Sequence, residues 1–275
     1  MCSWKWIRRL LPGSSRTREN SKEAIRALEL GAVDCIDRAM LNEQSGTVDL
    51  VETVLMAAES NVTAFGRRRA ITADDARPHF DWNGKAVVIG SSTGGVDALM
   101  KVVGDLPPNC APTVIAQHMP KDFLESFTAR LDKNCAPKVL LASDGAKLEQ
   151  GRVLVAPGGQ FHVAISRNDR KRVNLVQDQG TQPYIPSVDV LFSSALPHAK
   201  RMVGVMLTGM GQDGATAMLQ MREAGAHTIV QDKASSVVDG MPRSARDIGA
   251  AVEVAGLSAI GKRIVNSTQR GEQVG

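Results

Sequence analysis

Residues 86–95 read Ala86-Val-Val-Ile-Gly-Ser-Ser-Thr-Gly-Gly95, and this stretch decides the fold. Its apolar, β-branched beginning predicts a buried strand. The glycines that follow permit a sharp turn from that strand into a helix, which we predict over residues 95–103. A strand that turns directly into a helix begins a βα unit, so the stretch predicts a parallel sheet.

The same alternation continues downstream. Apolar runs predict strands over 85–89, 113–117, 138–142, 203–208 and 228–231. Helical patterns predict helices over 95–103, 122–132, 213–224 and 241–248. Parallel strands with crossover helices form a doubly wound α/β sheet, so we predict a three-layer α/β/α fold with a mostly parallel sheet flanked by helices. Three runs without helices between them, 152–156, 161–165 and 173–176, predict an antiparallel hairpin at one edge.

The chain outside this sheet carries weaker signals. We predict a main domain over residues 84–268, followed by a tail over 269–275. Residues 61–83 are polar, charged and proline-containing, as linkers are. Residues 21–60 predict only a helix, a short strand and a second helix, which is too little for an independent sheet. Residues 1–20 are expected to be a disordered leader.

The composition argues against nucleic-acid binding. The 275 residues include 33 Lys and Arg and 29 Asp and Glu, but one Tyr and six Phe, and no stretch interleaves aromatic with basic residues. Residues 1–12 lack an apolar run long enough for a signal peptide or a membrane span, although an amphipathic surface anchor is an alternative there. The cysteines lack metal-binding spacing and fit a reducing compartment; they are Cys2, Cys35, Cys110 and Cys135. We therefore expect a cytoplasmic monomer without membrane insertion.

Polar residues that directly follow the apolar runs are candidates for chemistry, because ligands of open α/β sheets bind beyond the carboxyl ends of the strands. Ser92 follows the first run, His118 follows the second, and Asp213 lies shortly after the run that ends at Thr208. Such residues can converge on one crevice, where histidine takes the serine proton and aspartate orients the imidazole. We predict Ser92 as nucleophile, His118 as base and Asp213 as the orienting acid.

A developing negative charge at this site needs hydrogen-bond donors. The helix that begins after Ser92 favours such a charge at its N-terminus. Thr93 and the backbone amides of Gly209, Met210 and Gly211 are the predicted oxyanion and supporting groups.

Each candidate also has a simpler interpretation. The loop 90–95 suits a phosphate- or nucleotide-binding regulatory module, although it lacks the G-x-G-x-x-G spacing. Asp213 suits an N-cap of the helix that follows it, His118 suits a hydrogen-bonded core histidine, and Ser91 is a rival nucleophile. Asp189 begins a predicted helix, where capping or loop anchoring is expected. The spacing of three further histidines does not suggest a metal site: His162, His198 and His227.

Five motifs together resemble the chemotaxis protein-glutamate methylesterase family (CheB). They occur in the family's order and span nearly all of residues 85–260: Ile89-Gly-Ser-Ser-Thr-Gly-Gly95, Gln117-His-Met-Pro120, Val155-Ala-Pro-Gly158, Pro186-Ser-Val-Asp-Val-Leu-Phe192 and Met206-Leu-Thr-Gly-Met-Gly-Gln-Asp-Gly-Ala215. The resemblance implies that residues 84–268 are a methylesterase catalytic domain. It also implies that the nucleophile is Ser92 rather than Ser91, with the family's histidine and aspartate at His118 and Asp213 and its oxyanion donor near Met210.

The activity implied by the resemblance is hydrolysis of glutamate γ-methyl esters on the cytoplasmic helices of methyl-accepting chemoreceptors, with release of methanol, in chemotactic adaptation. Deamidation of receptor glutamines at the same site is also implied, without any metal or cofactor. A degenerate homologue that binds receptors without turnover is the remaining alternative.

The amino-terminal part departs from the family. By resemblance, residues 21–60 are an incomplete receiver-domain remnant, and residues 1–20 do not match the receiver's acidic cluster and phospho-accepting aspartate. Arg38-Ala39 stands where the family tends to have Lys-Pro. We therefore expect no phosphorylation site and no phosphorylation control, and a rise in esterase rate with acetyl phosphate would contradict this expectation.

Overall fold

A computed structural model describes residues 10–13, 34–37 and 80–270 of the chain. The two short segments are strands β1 (Leu10–Gly13) and β2 (Asp34–Asp37), which pair in parallel. Strand β1 lies within residues 1–20, the stretch predicted to be a disordered leader, and the extent of that leader stays a prediction. The helices predicted within residues 21–60, and residues 61–79 of the linker predicted over 61–83, lie outside the described residues, and the domain boundaries there stay predictions.

The main sheet has seven strands, and every described pairing within it is parallel. Its order is β11-β10-β9-β3-β4-β6-β5, with bounds β3 Ala86–Ser91, β4 Thr113–Gln117, β5 Lys138–Leu141, β6 Arg152–Val155, β9 Met202–Met206, β10 His227–Gln231 and β11 Glu253–Ala255. The chain starts in the centre at β3, fills one side through β4, and then crosses to β9 on the other side. This order confirms the predicted doubly wound sheet.

Helices cover both faces of the sheet. Their bounds are α1 Gly95–Gly104, α2 Lys121–Asn134, α3 Val188–Ala195, α4 Ala215–Glu223, α5 Met241–Asp247 and α6 Leu257–Thr268, with a 3-10 helix at Leu196–Arg201. Side chains of β3 alternate between two buried clusters, as the two-residue period of a strand requires. Val87 and Ile89 pack with α1, α2 and α6, whereas Ala86 and Val88 pack with α3, α4 and α5. The predicted three-layer arrangement is confirmed.

The antiparallel part is smaller than predicted. Among the described strands, only β7 (Phe161–Ile165) and β8 (Val173–Gln177) form an antiparallel pair. The run 152–156 was expected in the same hairpin, but β6 lies inside the parallel sheet between β4 and β5. A loop rather than a helix carries the chain from β5 back to the parallel strand β6, so the absence of a helical pattern did not indicate antiparallel pairing.

Within the part of the chain that the structure describes, no helix has the length and apolar character needed to cross a membrane.

Candidate active site

Three neighbouring strands end at the same place. Ser91 is in register with Gln117 in the β3–β4 pair, so Ser92 and His118 leave the sheet side by side. The amide of His118 donates to the carbonyl of Ser91 (3.0 Å), and the amide of Ser92 donates to the carbonyl of Thr208 (3.1 Å), just beyond β9. The carboxyl ends of β9, β3 and β4 therefore meet around Ser92.

The two adjacent serines have different environments. Ser91 is fully buried, and its hydroxyl donates to Oε1 of Gln117 over 2.6 Å. Nε2 of Gln117 donates in turn to the carbonyls of Ser92 (2.9 Å) and His118 (3.0 Å). Ser92 is only partly buried. The geometry thus gives Ser91 a structural hydrogen bond and leaves Ser92 as the hydroxyl that a substrate can reach.

The turn into α1 is poorly suited to a phosphate. Gly94 precedes the helix with φ of 77°, a left-handed conformation that glycine adopts without strain. Oε1 of Gln117 lies so close to Gly95 that a Cβ there would collide with it. An acceptor oxygen at the start of α1 repels an anion, which disfavours the alternative of a phosphate-binding loop.

His118 and Asp213 form a buried pair. Nε2 of His118 lies 2.7 Å from Oδ2 of Asp213. Because a carboxylate oxygen only accepts hydrogen bonds, Nε2 carries the proton and Nδ1 keeps its lone pair. Nδ1 is buried and has no hydrogen-bond partner among the described residues. The basic nitrogen directed away from the aspartate is therefore Nδ1, whereas in the chymotrypsin triad it is Nε2.

Asp213 is held by the N-terminus of a neighbouring helix. Its oxygens accept hydrogen bonds from the amides of Val188 (2.7 Å) and Asp189 (2.9 Å) and from the hydroxyl of Ser187 (3.1 Å). Burial raises the pKa of Asp213, but the hydrogen bond and charge of His118 and the two amides outweigh burial and bring the pKa below 3.8. The alternative that Asp213 caps its own helix is wrong, since the N-cap of α4 is Gly214 and Asp213 instead binds α3.

Asp189 makes the reverse contact. This residue lies in the first turn of α3, and its carboxylate accepts hydrogen bonds from the amides of Gly214 and Ala217 at the start of α4. Each helix thus presents an aspartate to the N-terminus of the other, where a negative charge is favoured. Burial, together with the negative charge of Asp213, nevertheless raises the pKa of Asp189 above 3.8. The geometry therefore agrees with the capping role that was expected for Asp189.

We expect the free energy of unfolding of Asp189→Asn to rise, relative to that of the parent, as pH increases. A carboxyl whose folded-state pKa is raised begins to destabilise the fold above the unfolded-state pKa, and the loss is complete above the folded-state pKa. Urea unfolding at about pH 3.5 and about pH 7 measures the difference. Asp178→Asn is the matched control, because the His162 hydrogen bond lowers the pKa of Asp178. The unfolding free energy of this variant, relative to that of the parent, must therefore fall as pH increases. If the difference in unfolding free energy between Asp189→Asn and the parent were the same at both pH values, the raised pKa of Asp189 would be contradicted.

The predicted oxyanion segment lies against Ser92, the predicted nucleophile. A Cβ added at Gly209 would lie 2.8 Å from the Cβ of Ser92, so glycine permits this approach. The Gly209 amide, however, donates to the carbonyl of Val238 over 3.1 Å, which corrects its prediction as an oxyanion donor. The amides of Met210 and Gly211 have no acceptor within residues 80–270. Thr93 is buried beside Ser92, and its carbonyl accepts a hydrogen bond from the hydroxyl of Thr208 (3.0 Å).

Tyr184 covers the imidazole. Its ring stacks on His118 with centroids 4.3 Å apart and planes 14° apart. An open groove of about 700 Å³ begins at this ring. The groove is lined by Pro183, Tyr184, Gly211, Gln212, Asp239, Gly240, Arg243, Ser244 and Asp247.

We expect Tyr184→Ala to lower kcat by about two- to tenfold, the factor that corresponds to the energy of one aromatic stack. The reason is that the imidazole loses the surface that restricts its rotation. Tyr184→Phe keeps the ring and should stay within about twofold of the parent. Ester hydrolysis under saturating substrate measures the effect, and equal losses in the two variants would show that the hydroxyl, not the stack, matters.

Sequence patterns did not reveal Gln117, Ser187 or Tyr184 as parts of the site. One signal was present for Gln117, which is the only polar residue after Thr113 in the otherwise apolar strand β4. Ser187 precedes a predicted helix, where serine is typical of an N-cap, but no local signal indicates its contact with Asp213. No local signal marks Tyr184, because a long loop brings it to the strand ends.

Comparison with known proteins gives consistent results. A family model described as CheB methylesterase matches residues 87–264. The chain is 46% identical over 257 residues to protein-glutamate methylesterase/protein-glutamine glutaminase 1 of Caulobacter vibrioides, covering 92% of this chain and 74% of that protein. It is 42% identical over 260 residues to the protein-glutamate methylesterase/protein-glutamine glutaminase of Agrobacterium fabrum, covering 93% and 74%.

A solved structure is also similar. The crystal structure of the Thermotoga maritima CheB methylesterase catalytic domain matches with a TM-score of 0.64 and 34% sequence identity, covering 68% of this chain and all of that one.

Proposed function

Because this chain belongs to the CheB methylesterase family, we propose that it hydrolyses glutamate γ-methyl esters on methyl-accepting chemoreceptors with Ser92, His118 and Asp213 as its catalytic triad. The observation that supports the triad is the buried His118–Asp213 pair. Nδ1 of His118 has no hydrogen-bond partner among the described residues, and His118 follows the strand next to the one that Ser92 follows. The product side chain is glutamate, and the leaving group is methanol.

The first half-reaction transfers the acyl group to the enzyme. Oγ of Ser92 attacks the ester carbonyl while Nδ1 of His118 takes the hydroxyl proton. The tetrahedral oxyanion accepts hydrogen bonds from the amides of Met210 and Gly211, which have no competing acceptor in the described chain. Collapse of the intermediate breaks the bond to the methoxy oxygen, which takes the proton from His118 and leaves as methanol.

The second half-reaction regenerates the serine. Water gives a proton to Nδ1 of His118 and attacks the acyl carbonyl, and Ser92 leaves with that proton. Asp213 stays ionised throughout, because four donors and the α3 N-terminus stabilise its charge. The relatives' names include protein-glutamine glutaminase, and the same steps deamidate glutamine when ammonia replaces methanol as leaving group.

The test is methanol release from a methylated cytoplasmic receptor fragment. Release that depends on the protein, and that an unmethylated fragment does not give, supports the proposal. A fluorophosphonate probe should also label Ser92, because only an activated hydroxyl reacts with it. Labelling without methanol release would point to a different ester, and failure of both would overturn the proposal in favour of a non-catalytic binding protein.

The receptor helix that carries the ester is the proposed partner, and the groove beside Tyr184 is where it would lie. We propose that the protein acts as a monomer in the cytoplasm, where that part of the receptor is located. Neither Cys110 nor Cys135 forms a disulfide bond among the described residues, which agrees with a reducing compartment.

A further inference from the structure

A second histidine lies behind the site with both ring nitrogens engaged. His162 is 2% exposed on β7. Its Nδ1 lies 3.0 Å from the backbone nitrogen of Ser187, and its Nε2 lies 3.1 Å from Oδ1 of Asp178. Because a backbone N–H can only donate, Nδ1 is the acceptor, and Nε2 carries the proton that it donates to Asp178. The tautomer of His162 is thereby fixed.

The imidazole joins the two ends of one loop. Asp178 directly follows β8, and Ser187 directly precedes α3, so His162 bridges residues 178 and 187. Asp178 is itself held, since its amide donates to the carbonyl of Gln160 (2.9 Å) and its Oδ2 accepts from the amide of Gly180 (2.8 Å). The end of the loop at Ser187 is therefore anchored to the hairpin through His162.

That loop contacts both ionisable members of the proposed triad. Tyr184 stacks on His118, and the hydroxyl of Ser187 donates to Oδ1 of Asp213 over 3.1 Å. Ser187 is also the N-cap of α3, so its position determines where the amides of Val188 and Asp189 meet Asp213. A shift of Ser187 would move every donor to Asp213 except His118.

We propose that His162 is a positioning residue for the hydrolytic site, which acts through Ser187 to hold Asp213 and His118 in their reactive arrangement. The proposal rests on the proposed function, since it assigns a role in that reaction. His162 has no part in proton transfer, because its acceptor nitrogen is occupied by Ser187 and it does not contact Ser92.

Two substitutions separate positioning from simple stabilisation. The side-chain oxygen of His162→Asn can replace Nδ1 as acceptor for Ser187, but it loses Asp178. The side-chain amide of His162→Gln can replace Nε2 as donor to Asp178, but it loses Ser187. We expect the Gln variant to lose about tenfold or more in kcat and the Asn variant about twofold or less, with KM unchanged in both.

The double variant His162→Gln/Ser187→Ala tests whether His162 acts through Ser187. If His162 acts through Ser187, the losses in kcat from the two substitutions will be less than additive. Equal losses in the Gln and Asn variants, losses that follow the free energy of unfolding, or full additivity would each overturn the proposal.

Rates of fluorophosphonate labelling of Ser92, normalised to the folded fraction by near-ultraviolet circular dichroism, provide a second readout that does not depend on the receptor. The Gln variant should be labelled about tenfold more slowly than the Asn variant. If the parent is labelled but releases no methanol, the substrate assignment fails while the role of His162 is still tested. If the parent is not labelled, the proposed function fails by itself.

Discussion

Ser92→Ala is expected to lower methanol release by about 10⁴-fold or more, because the substitution removes the proposed nucleophile and leaves only the contributions of binding and the proposed oxyanion donors. The fold should be retained, since Ser92 is only partly buried and its amide, which donates to Thr208, is unchanged. Initial rates on the methylated receptor fragment, with fluorophosphonate labelling as a second readout, measure the loss.

Ser91→Ala is the matched control for this prediction. It leaves Oε1 of Gln117 without its donor in a buried position, which should cost about 1–3 kcal/mol of unfolding free energy. Its activity should stay within about tenfold of the parent. Ser92→Ala is thus expected to lower the rate and keep the stability, whereas Ser91→Ala is expected to lower the stability and largely keep the rate. Loss of turnover in Ser91→Ala, with activity kept in Ser92→Ala, would show that Ser91 rather than Ser92 is the nucleophile.

Asp213→Asn is expected to lower kcat by about 10³- to 10⁴-fold, as loss of the orienting carboxylate does in the chymotrypsin triad. If the amide oxygen accepts from α3, the amide nitrogen faces Nε2 of His118 as a donor. His118 must then carry its proton on Nδ1, the nitrogen that should receive the proton of Ser92. The substitution therefore inverts the tautomer and removes the charge that stabilises the imidazolium.

The same substitution should also destabilise the protein, by about 1–3 kcal/mol for each buried donor that loses its acceptor. Asp189→Asn is the control, because the Asp189 side chain contacts the start of α4 and Asp213 but not His118, so the carboxylate that faces the imidazole stays in place. We expect kcat of that control to stay within about threefold of the parent. If Asp213→Asn kept more than about a tenth of the parental kcat, the 2.7 Å contact would have no catalytic role.

The sequence predicted the central strands and their residues best. Strands β3, β4, β9 and β10 are short apolar runs bounded by turns, and Ser92, His118 and Asp213 follow three of them closely. Since parallel strands end at the same edge, position in the chain was sufficient to predict that these three residues lie at the same edge of the sheet.

Elements that depend on distant contacts were not predictable in this way. Helix α6 contains Gly261, which weakens a helical pattern but lets the helix approach Asp105 closely. Strand β11 has three residues, which is too short for a periodic signal. The partners of Asp213 lie about 25 residues upstream at the start of α3, and no local pattern encodes that distance.

The exchange of aspartates between α3 and α4 has a consequence for how the domain opens. Neither helix can separate from the other without leaving a carboxylate and several amides unpaired, so their amides should exchange with solvent deuterium through one shared opening event. Asp213 belongs to that event. Fluctuations that expose the start of either helix should therefore also separate Asp213 from its donors and so disrupt the proposed triad.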